Sequence, residues 1–239
     1  MKAEAMRISF SQPVFLPWGG FFGRLLHSDL MILLDGTQFA RGFTFVNRNR
    51  LKGPQGEIWV TVPVKKKGLG LQKISQLKIH QPDRWSEKFL GLLKHYYRHS
   101  LFFHLTEEAL REIICRAGDD FCRLAVSSLK FMAQAFSINR EFILQSETQV
   151  EGKGSSLLVS LAVKTGASEV ILPYLADRHL QMNLFHEAGI KVIFLKYLQE
   201  PYPQFWGNFI GNLSALDLWL CCGPQGSRKI AKSSRLIDS

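Results

Sequence analysis

Most of the residues suited to chemistry crowd into one stretch of the chain, from Ser9 to Arg50. Its last part, Asn47-Arg48-Asn49-Arg50, alternates two amides with two guanidiniums. A guanidinium grips a carboxylate or phosphate with a planar fork of donors. Asn47, Asn49, Gln12 and Gln38 supply neutral hydrogen bonds to the same ligand. Asp35 is the candidate base, able to take a proton from an amine or hydroxyl, with Gln12 as its catalytic companion. Trp18 and Phe22 are the candidates for stacking on a ring. Taken together, these residue types suit an anionic, ring-bearing substrate.

The elements around them explain why they should meet. Arg7 to Ser11 reads as a strand that ends at Gln12-Pro13, because proline removes a ladder donor. Pro17-Trp18-Gly19-Gly20 is a turn, and its glycines allow close backbone approach. A short helix over Phe21 to His27 and a buried strand from Leu30 to Leu34 complete a βαβ unit. Helix entry after such a turn points free N–H groups at an anion. Gln12 and Asp35 each follow a strand directly, so adjacent parallel strands bring them to one edge of the sheet. Asn47 to Arg50 follows about a dozen residues later, close enough to fold back over that edge. The expectation is one pocket holding Gln12, Trp18, Asp35, Gln38, Asn47, Arg48 and Arg50.

Further along, Phe43–Arg50, Ile58–Val64 and Ile74–Ile79 read as strands, the first two joined by a turn at Lys52-Gly53-Pro54-Gln55-Gly56. Lys67 lies in a flexible loop and is a further candidate contact. Helices are expected from Asp83 to about Tyr97, from Thr106-Glu107-Glu108 onward, and from Asp119-Asp120 through Phe136. His95 near the end of the first is either a charge favoured by a helix C-terminus or a site residue. The last third returns to α/β: strands at Glu141–Leu144, Glu169–Leu172 and Lys191–Leu195, with helices from Gly154 to Gly166 and Ala176 to Ala188. Ser155 and Ser156 either cap a helix or face a ligand at the strand ends. Asn212 to Leu220 is the last helix, in which Asp217 needs a partner if buried. The fold class is thus α/β, a mostly parallel central sheet with flanking helices plus a small antiparallel β insertion. One domain is expected over residues 1–226, with a β-rich flap at about 42–80, a helical segment at about 83–136, and a loose basic tail at 227–239.

The composition narrows the partners. The 239 residues carry a formal net charge of +10, which favours an anionic partner: a nucleotide, phosphate, nucleic acid or membrane surface. From Arg41 to Lys78 there are nine basic residues (Arg41, Arg48, Arg50, Lys52, Lys65, Lys66, Lys67, Lys73, Lys78) against one acid, Glu57. Cys115, Cys122, Cys221 and Cys222 lack zinc-finger spacing, so reduced thiols and no metal are expected. The residues leave the cofactor, if any, open. No run is long enough to span a bilayer, and MKAEAMRISF lacks the apolar region of a signal peptide, so a cytoplasmic location is expected. P-loop, G-x-S-x-G, H-E-x-x-H and G-x-G-x-x-G patterns are missing.

Four segments carry a resemblance to a known family: QPVFLPWGGFFGRLLHSD, LLDGTQFARGFTFVNRNRLKG, GEIWVTVPVKKKG and YPQFWGNFIGNLSALDLWLCCG. They resemble the WbqC-like proteins over Met6 to about Gly226. The resemblance implies a context in surface polysaccharide assembly, notably of lipopolysaccharide O-antigen, more than a mechanism. The chain departs from the family pattern at Leu172-Pro173-Tyr174-Leu175 and at Cys221. A second likeness is at the level of fold: strand, turn, helix, strand and then Gly36-Thr37-Gln38-Phe39 is similar to the start of pantothenate synthetases and related nucleotidylyltransferases. Those proteins hold a triphosphate with a histidine pair where this chain has Pro17-Trp18-Gly19-Gly20-Phe21.

Two function classes follow. One is a transferase (acyl, aminoacyl or nucleotidyl) acting on a nucleotide-activated amino sugar or similar anionic intermediate. The other is a binding protein for RNA or an aminoacyl-tRNA donor, in which the basic belt matters more than any base.

Overall fold

The structure is a computed structural model that describes residues 5–40, 42–174 and 176–238. In chain order the elements are β1 Arg7–Ser11, α1 Gly19–Leu26, β2 Leu30–Leu33, β3 Arg48–Gly53, β4 Gly56–Thr61, α2 Pro82–Tyr97, α3 Phe103–Ala117, α4 Phe121–Ala135, β5 Glu141–Leu144, α5 Gly154–Lys164, β6 Glu169–Pro173, α6 Met182–Glu187, β7 Lys191–Tyr197, α7 Ala215–Cys222, α8 Gly226–Ser233 and β8 Ser234–Asp238. Six strands make one sheet in the order β5-β2-β1-β6-β7-β8, and β3-β4 form a separate pair. All neighbours in the large sheet are parallel except β7 and β8. The α/β class, the parallel sheet uniting the four strands β1, β2, β6 and β7, and the antiparallel insertion are as the sequence led us to expect.

Strand alternation sorts the core into two sides. Ile8, Phe10, Val170, Leu172, Val192 and Phe194 point to one face and pack with Leu157, Leu161 and Phe185 of α5 and α6. Ile171, Ile193 and Leu195 point to the other face and meet Tyr197. On that side lies α1, backed by a larger core that joins Phe21, Phe22 and Leu25 to α2, α3, α4 and α7. The β3-β4 hairpin packs on this larger core through Leu51 and Val60. β1 has β2 on one side and β6 on the other, so the connections from its end diverge, the place where open α/β sheets bind ligands.

Local signals placed most elements correctly. Asp120 caps α4, its carboxylate accepting from the Arg123 N–H at 2.9 Å. Gly166 and Gly189 follow α5 and α6 with φ of +71° and +68°, the left-handed conformation that stops a helix at glycine. Four segments differ from the sequence reading. The strand expected from Phe43 begins only at Arg48, because the Thr44 hydroxyl takes the Val46 N–H at 3.1 Å and folds the chain into a turn. Ile74–Gln76 is a 3-10 turn rather than a strand, with the Gln76 side chain accepting the Lys73 N–H. The helix expected over Ala176–Ala188 is split into a 3-10 turn, Ala176–His179, and α6, because Gln181 N–H is drawn to the Ser155 hydroxyl at 2.8 Å. The segment expected to be a loose tail forms α8, which buries Ile230, and β8, which extends the sheet beside β7.

Candidate functional site

The turn after β1 is the foundation of the site. Leu16 has φ of +46°, a conformation that costs a side-chain-bearing residue about 1–2 kcal/mol. Two buried side chains hold it: Asn49 Nδ2 and Ser214 Oγ both donate to the Leu16 carbonyl at 2.7 Å. The opening turn, the Asn-Arg-Asn-Arg run and the late segment before α7 therefore meet at one oxygen atom. Gly19 and Gly20 are needed here for close approach. A Cβ at Gly19 would overlap the Tyr197 hydroxyl, and one at Gly20 would stand 2.6 Å from the Trp18 ring.

Above this turn, at the carboxyl end of β1, is a cavity of about 430 Å³. Its lining includes Ser11, Trp18, Phe21, Arg24, Phe45, Asn49, Arg50 and Asn212, with two guanidiniums and no carboxylate, imidazole or thiol. Arg24 is the unusual member. It is 7% exposed, its Nε lacks a hydrogen-bond partner, and no carboxylate pairs with it among the described residues. Burial pushes its pKa down to about 10, so it still carries its charge at neutral pH. A buried charge with no partner is costly and points to a ligand that supplies one. Arg50 is better tethered: it donates to Glu57 at 2.7 Å and to the Asn212 carbonyl at 2.9 Å, leaving its buried Nε unpartnered.

The sequence-expected residues divide. Trp18, Asn49 and Arg50 line the cavity. Trp18 stands edge-on to Tyr197 at 5.2 Å between centroids. Asn49 spends its side chain on the Leu16 carbonyl and on the Arg50 N–H. Asp35 is elsewhere: it is buried, and its two oxygens accept from the Ser146 N–H at 3.0 Å and the Ser146 hydroxyl at 2.7 Å. It fastens the segment after β5 rather than facing the cavity, so the single pocket expected around Asp35 does not form. Gln12 donates to the Thr37 hydroxyl at 3.0 Å, and Gln38 is exposed. Asn47 donates to the Val62 carbonyl at 2.8 Å and extends the hairpin. Arg48 donates to the Thr44 carbonyl and lies 3.7 Å from the Phe43 ring centroid. Phe22 is fully buried against Phe21 and Phe136, out of reach of a ligand. Lys67 and His95 are exposed, His95 against Tyr96. Ser155 accepts from Gln181 N–H, and Ser156 donates to the Lys153 carbonyl, so both do local work at the start of α5. Of the first turn of α1, Phe21 enters the lining, and its N–H is taken by the Trp18 carbonyl at 3.1 Å.

Sequence reasoning passed over Arg24. The available signal was an arginine in the middle of an otherwise apolar segment, Gly19–Leu26, in which seven residues are buried. It also passed over a buried network behind the cavity. Lys52, 1% exposed, donates from Nζ to Gln204 Oε1 at 2.9 Å and to the Asn208 carbonyl. Asp217 is fully buried, and accepts from the hydroxyls of Tyr97 at 2.6 Å and Tyr202 at 2.7 Å and from Gln204 Nε2 at 3.1 Å. These are the partners that an acid in an apolar helix requires. Burial pushes the Asp217 carboxyl above its ordinary range, while the three donors and Lys52 pull it back. Burial also raises the thiols, Cys122 to about 12 and Cys221 upward as well, so neither is an activated nucleophile. No group of three or more His, Cys, Asp or Glu able to hold a metal occurs among the described residues. Nor does any helix among them have the length and apolarity to cross a membrane.

Part of the basic belt is paired with acids, while Arg48, Lys52, Lys66 and Lys67 have no acid partner among the described residues. Lys65 and Lys78 face Asp119 at 3.7 and 3.2 Å, Lys73 faces Glu151 at 3.9 Å, and Arg50 faces Glu57. Lys66 sits over the Phe39 ring, and Arg41 lies outside the described residues.

Fold and site together define an α/β protein with a cationic, small-molecule-sized cavity at the carboxyl end of its first strand. Residues 12–229 match the model of the WbqC-like protein family, and the chain belongs to that family. It is also similar to the uncharacterized protein Rv1507c of Mycobacterium tuberculosis (strain ATCC 25618 / H37Rv), 26% identical over 221 residues that cover 92% of this chain and 95% of the relative. No solved structure matches it.

Proposed function

We propose that this protein binds a phosphorylated or carboxylated small molecule in the cavity between β1, α1 and the β3-β4 hairpin. We place that molecule among nucleotide-activated amino sugars or similar anionic intermediates of surface polysaccharide assembly, with a transferase as the activity. The observation that carries the reading is Arg24, a buried cation with no carboxylate partner among the described residues, opening into a cavity that also holds Arg50, itself paired with Glu57. An oxyanion between two guanidiniums in a low-dielectric site is held by charge-assisted hydrogen bonds. Support for the polysaccharide context comes from the family resemblance of the motifs that build the cavity. Within this reading Arg24 and Arg50 bind and orient the anion, Asn212 and Ser11 offer neutral donors, and the lining itself performs no proton transfer. For the RNA-binding alternative, Lys65, Lys73 and Lys78 face exposed acids, whereas Arg48, Lys66 and Lys67 have no acid partner among the described residues.

The experiment is a thermal-shift and calorimetric screen of pyrophosphate, nucleoside diphosphates and nucleotide sugars against the parent and Arg24→Gln. Stabilisation of the parent that is lost in Arg24→Gln is expected. Binding that survives in the variant, or a parent that responds to none of these anions, overturns the reading. A steep fall of affinity with salt, with preference for a polynucleotide, would instead favour the nucleic-acid alternative.

A further inference from the structure

Three large rings stand out of the surface at the mouth of the cavity. Phe43, Phe45 and Trp59 are 66%, 46% and 43% exposed. Their centroids are 5.3 to 5.8 Å apart, so they form one continuous patch. Trp59 is held on the outward face of the hairpin by its register opposite Arg50. The patch is also cationic: Arg48 lies 3.7 Å from the Phe43 centroid and 4.9 Å from that of Trp59, and Arg50 lies 5.8 Å from Trp59. Two residues belong to both places, since Phe45 and Arg50 line the cavity as well. A contiguous exposed aromatic patch marks a binding surface, and this one runs without a break into a site for an anion.

We propose that this patch is the second half of the same site, a platform for a ring covalently joined to the phosphate held in the cavity. The proposal rests on the anion-binding reading above. The ligand class is a ring-bearing phosphate, either a nucleotide stacked through its base or a sugar phosphate stacked through its pyranose face. The shared chemistry is a flat or C–H-rich face next to a dianion. Aromatic faces bind either ring without demanding one sequence of hydrogen bonds, and the neighbouring guanidiniums favour the phosphate-proximal end. Phe22, sealed in the core, cannot take the stacking role first assigned to it, whereas Trp18 lines the cavity beside these rings.

The test is calorimetry with two pairs of probes: uridine 5′-diphosphate against pyrophosphate, and glucose 1-phosphate against inorganic phosphate. In the parent, at least one ring-bearing probe should bind about tenfold or more tighter than its ring-free counterpart. That advantage should shrink several-fold in Trp59→Ala and, independently, in Phe43→Ala, both exposed positions whose folding is checked by circular dichroism. Loss confined to the diphosphate pair assigns the platform to a base, and loss confined to the glucose pair assigns it to a sugar. Equal binding of ring-bearing and ring-free probes in the parent, or an advantage undiminished in both variants, overturns the platform and leaves the anion cavity standing. A parent that binds none of the four probes brings down the cavity reading and the platform together.

Discussion

Arg50 and Asn212 are 162 residues apart in the chain and are joined by one hydrogen bond, from the guanidinium Nη2 to the Asn212 carbonyl at 2.9 Å. Around it the backbone is laced: Ser214 N–H donates to the Arg50 carbonyl and Ala215 N–H to the Pro17 carbonyl, both at 2.8 Å. Three segments that are remote in sequence thus share one wall of the cavity. Each depends on the others for its shape, which lets distant substitutions act on binding.

Arg24 should show opposite effects on binding and on stability. Arg24→Met removes a buried charge that has no carboxylate partner, so the ligand-free variant is expected to melt no lower than the parent. Binding of pyrophosphate should weaken by roughly 1.5–3 kcal/mol, the scale of a hydrogen bond to a charged group. Thermal unfolding with and without pyrophosphate measures both. A variant that melts lower and binds equally well would make Arg24 a structural residue.

Tyr97 is the hinge of the buried network, because its hydroxyl donates to Asp217 at 2.6 Å and accepts the Lys52 N–H at 2.8 Å. Tyr97→Phe leaves one donor and one acceptor unmatched in the interior. A loss of about 2–6 kcal/mol in urea unfolding is expected, from about 1–3 kcal/mol for each unsatisfied group. An unchanged midpoint would show that water takes over both roles.

Alkaline pH should unfold the protein through its tyrosines. Burial, reinforced by the nearby Asp217, raises the phenols of Tyr97 and Tyr202, and burial raises Tyr197 to about 12. In the unfolded chain these groups ionise near pH 10. Above that pH the unfolded state holds fewer protons than the folded one, so stability is full below about 10 and falls as pH rises, by up to about 1.4 kcal/mol per pH unit for each phenol. Tyrosine absorbance at high pH should show these three of the five tyrosines titrating late and together with unfolding. Early, independent titration of all five would contradict the burial argument.

Gly19→Ala should strain the wall of the site. The new methyl overlaps the Tyr197 hydroxyl, so α1 must shift or Tyr197 must leave. A cost of about 1–3 kcal/mol is expected, as for other overpacked sites. Adding Tyr197→Ala should recover part of it, and a double-mutant cycle without coupling would remove the contact from the account.

Much of this protein was decided locally and could be read along the chain. The apolar runs Arg7–Ser11, Leu30–Leu33, Glu169–Pro173 and Lys191–Tyr197 alternate with helices, and that rhythm alone implies parallel strands. Gly166, Gly189 and Asp120 stop or start helices by their own conformational and hydrogen-bonding properties, independent of what packs on them. The Asn-Arg-Asn-Arg run announced a polar site for the same reason, since amides and guanidiniums beside apolar runs need partners. What the chain could not disclose was which partners. Asp35 closely follows a strand, as a catalytic base would, yet Ser146, 111 residues away, takes both of its oxygens. Phe22 and Trp59 are both large rings, and only packing sent one into the core and the other into solvent. The tail looked loose because its polar, basic sequence holds few apolar residues, but the open edge of β7 offered β8 a ladder of unpaired backbone groups. Arg24 carries the same lesson for the site. Its charge was written in the sequence, while its burial, and the missing counter-ion that makes it informative, exist only once α1 is laid against the sheet. Hydrogen-bond partners and burial are properties of pairs brought together by the fold, so they are settled by tertiary structure, while turns, caps and strand rhythm belong to single segments and are settled by the sequence.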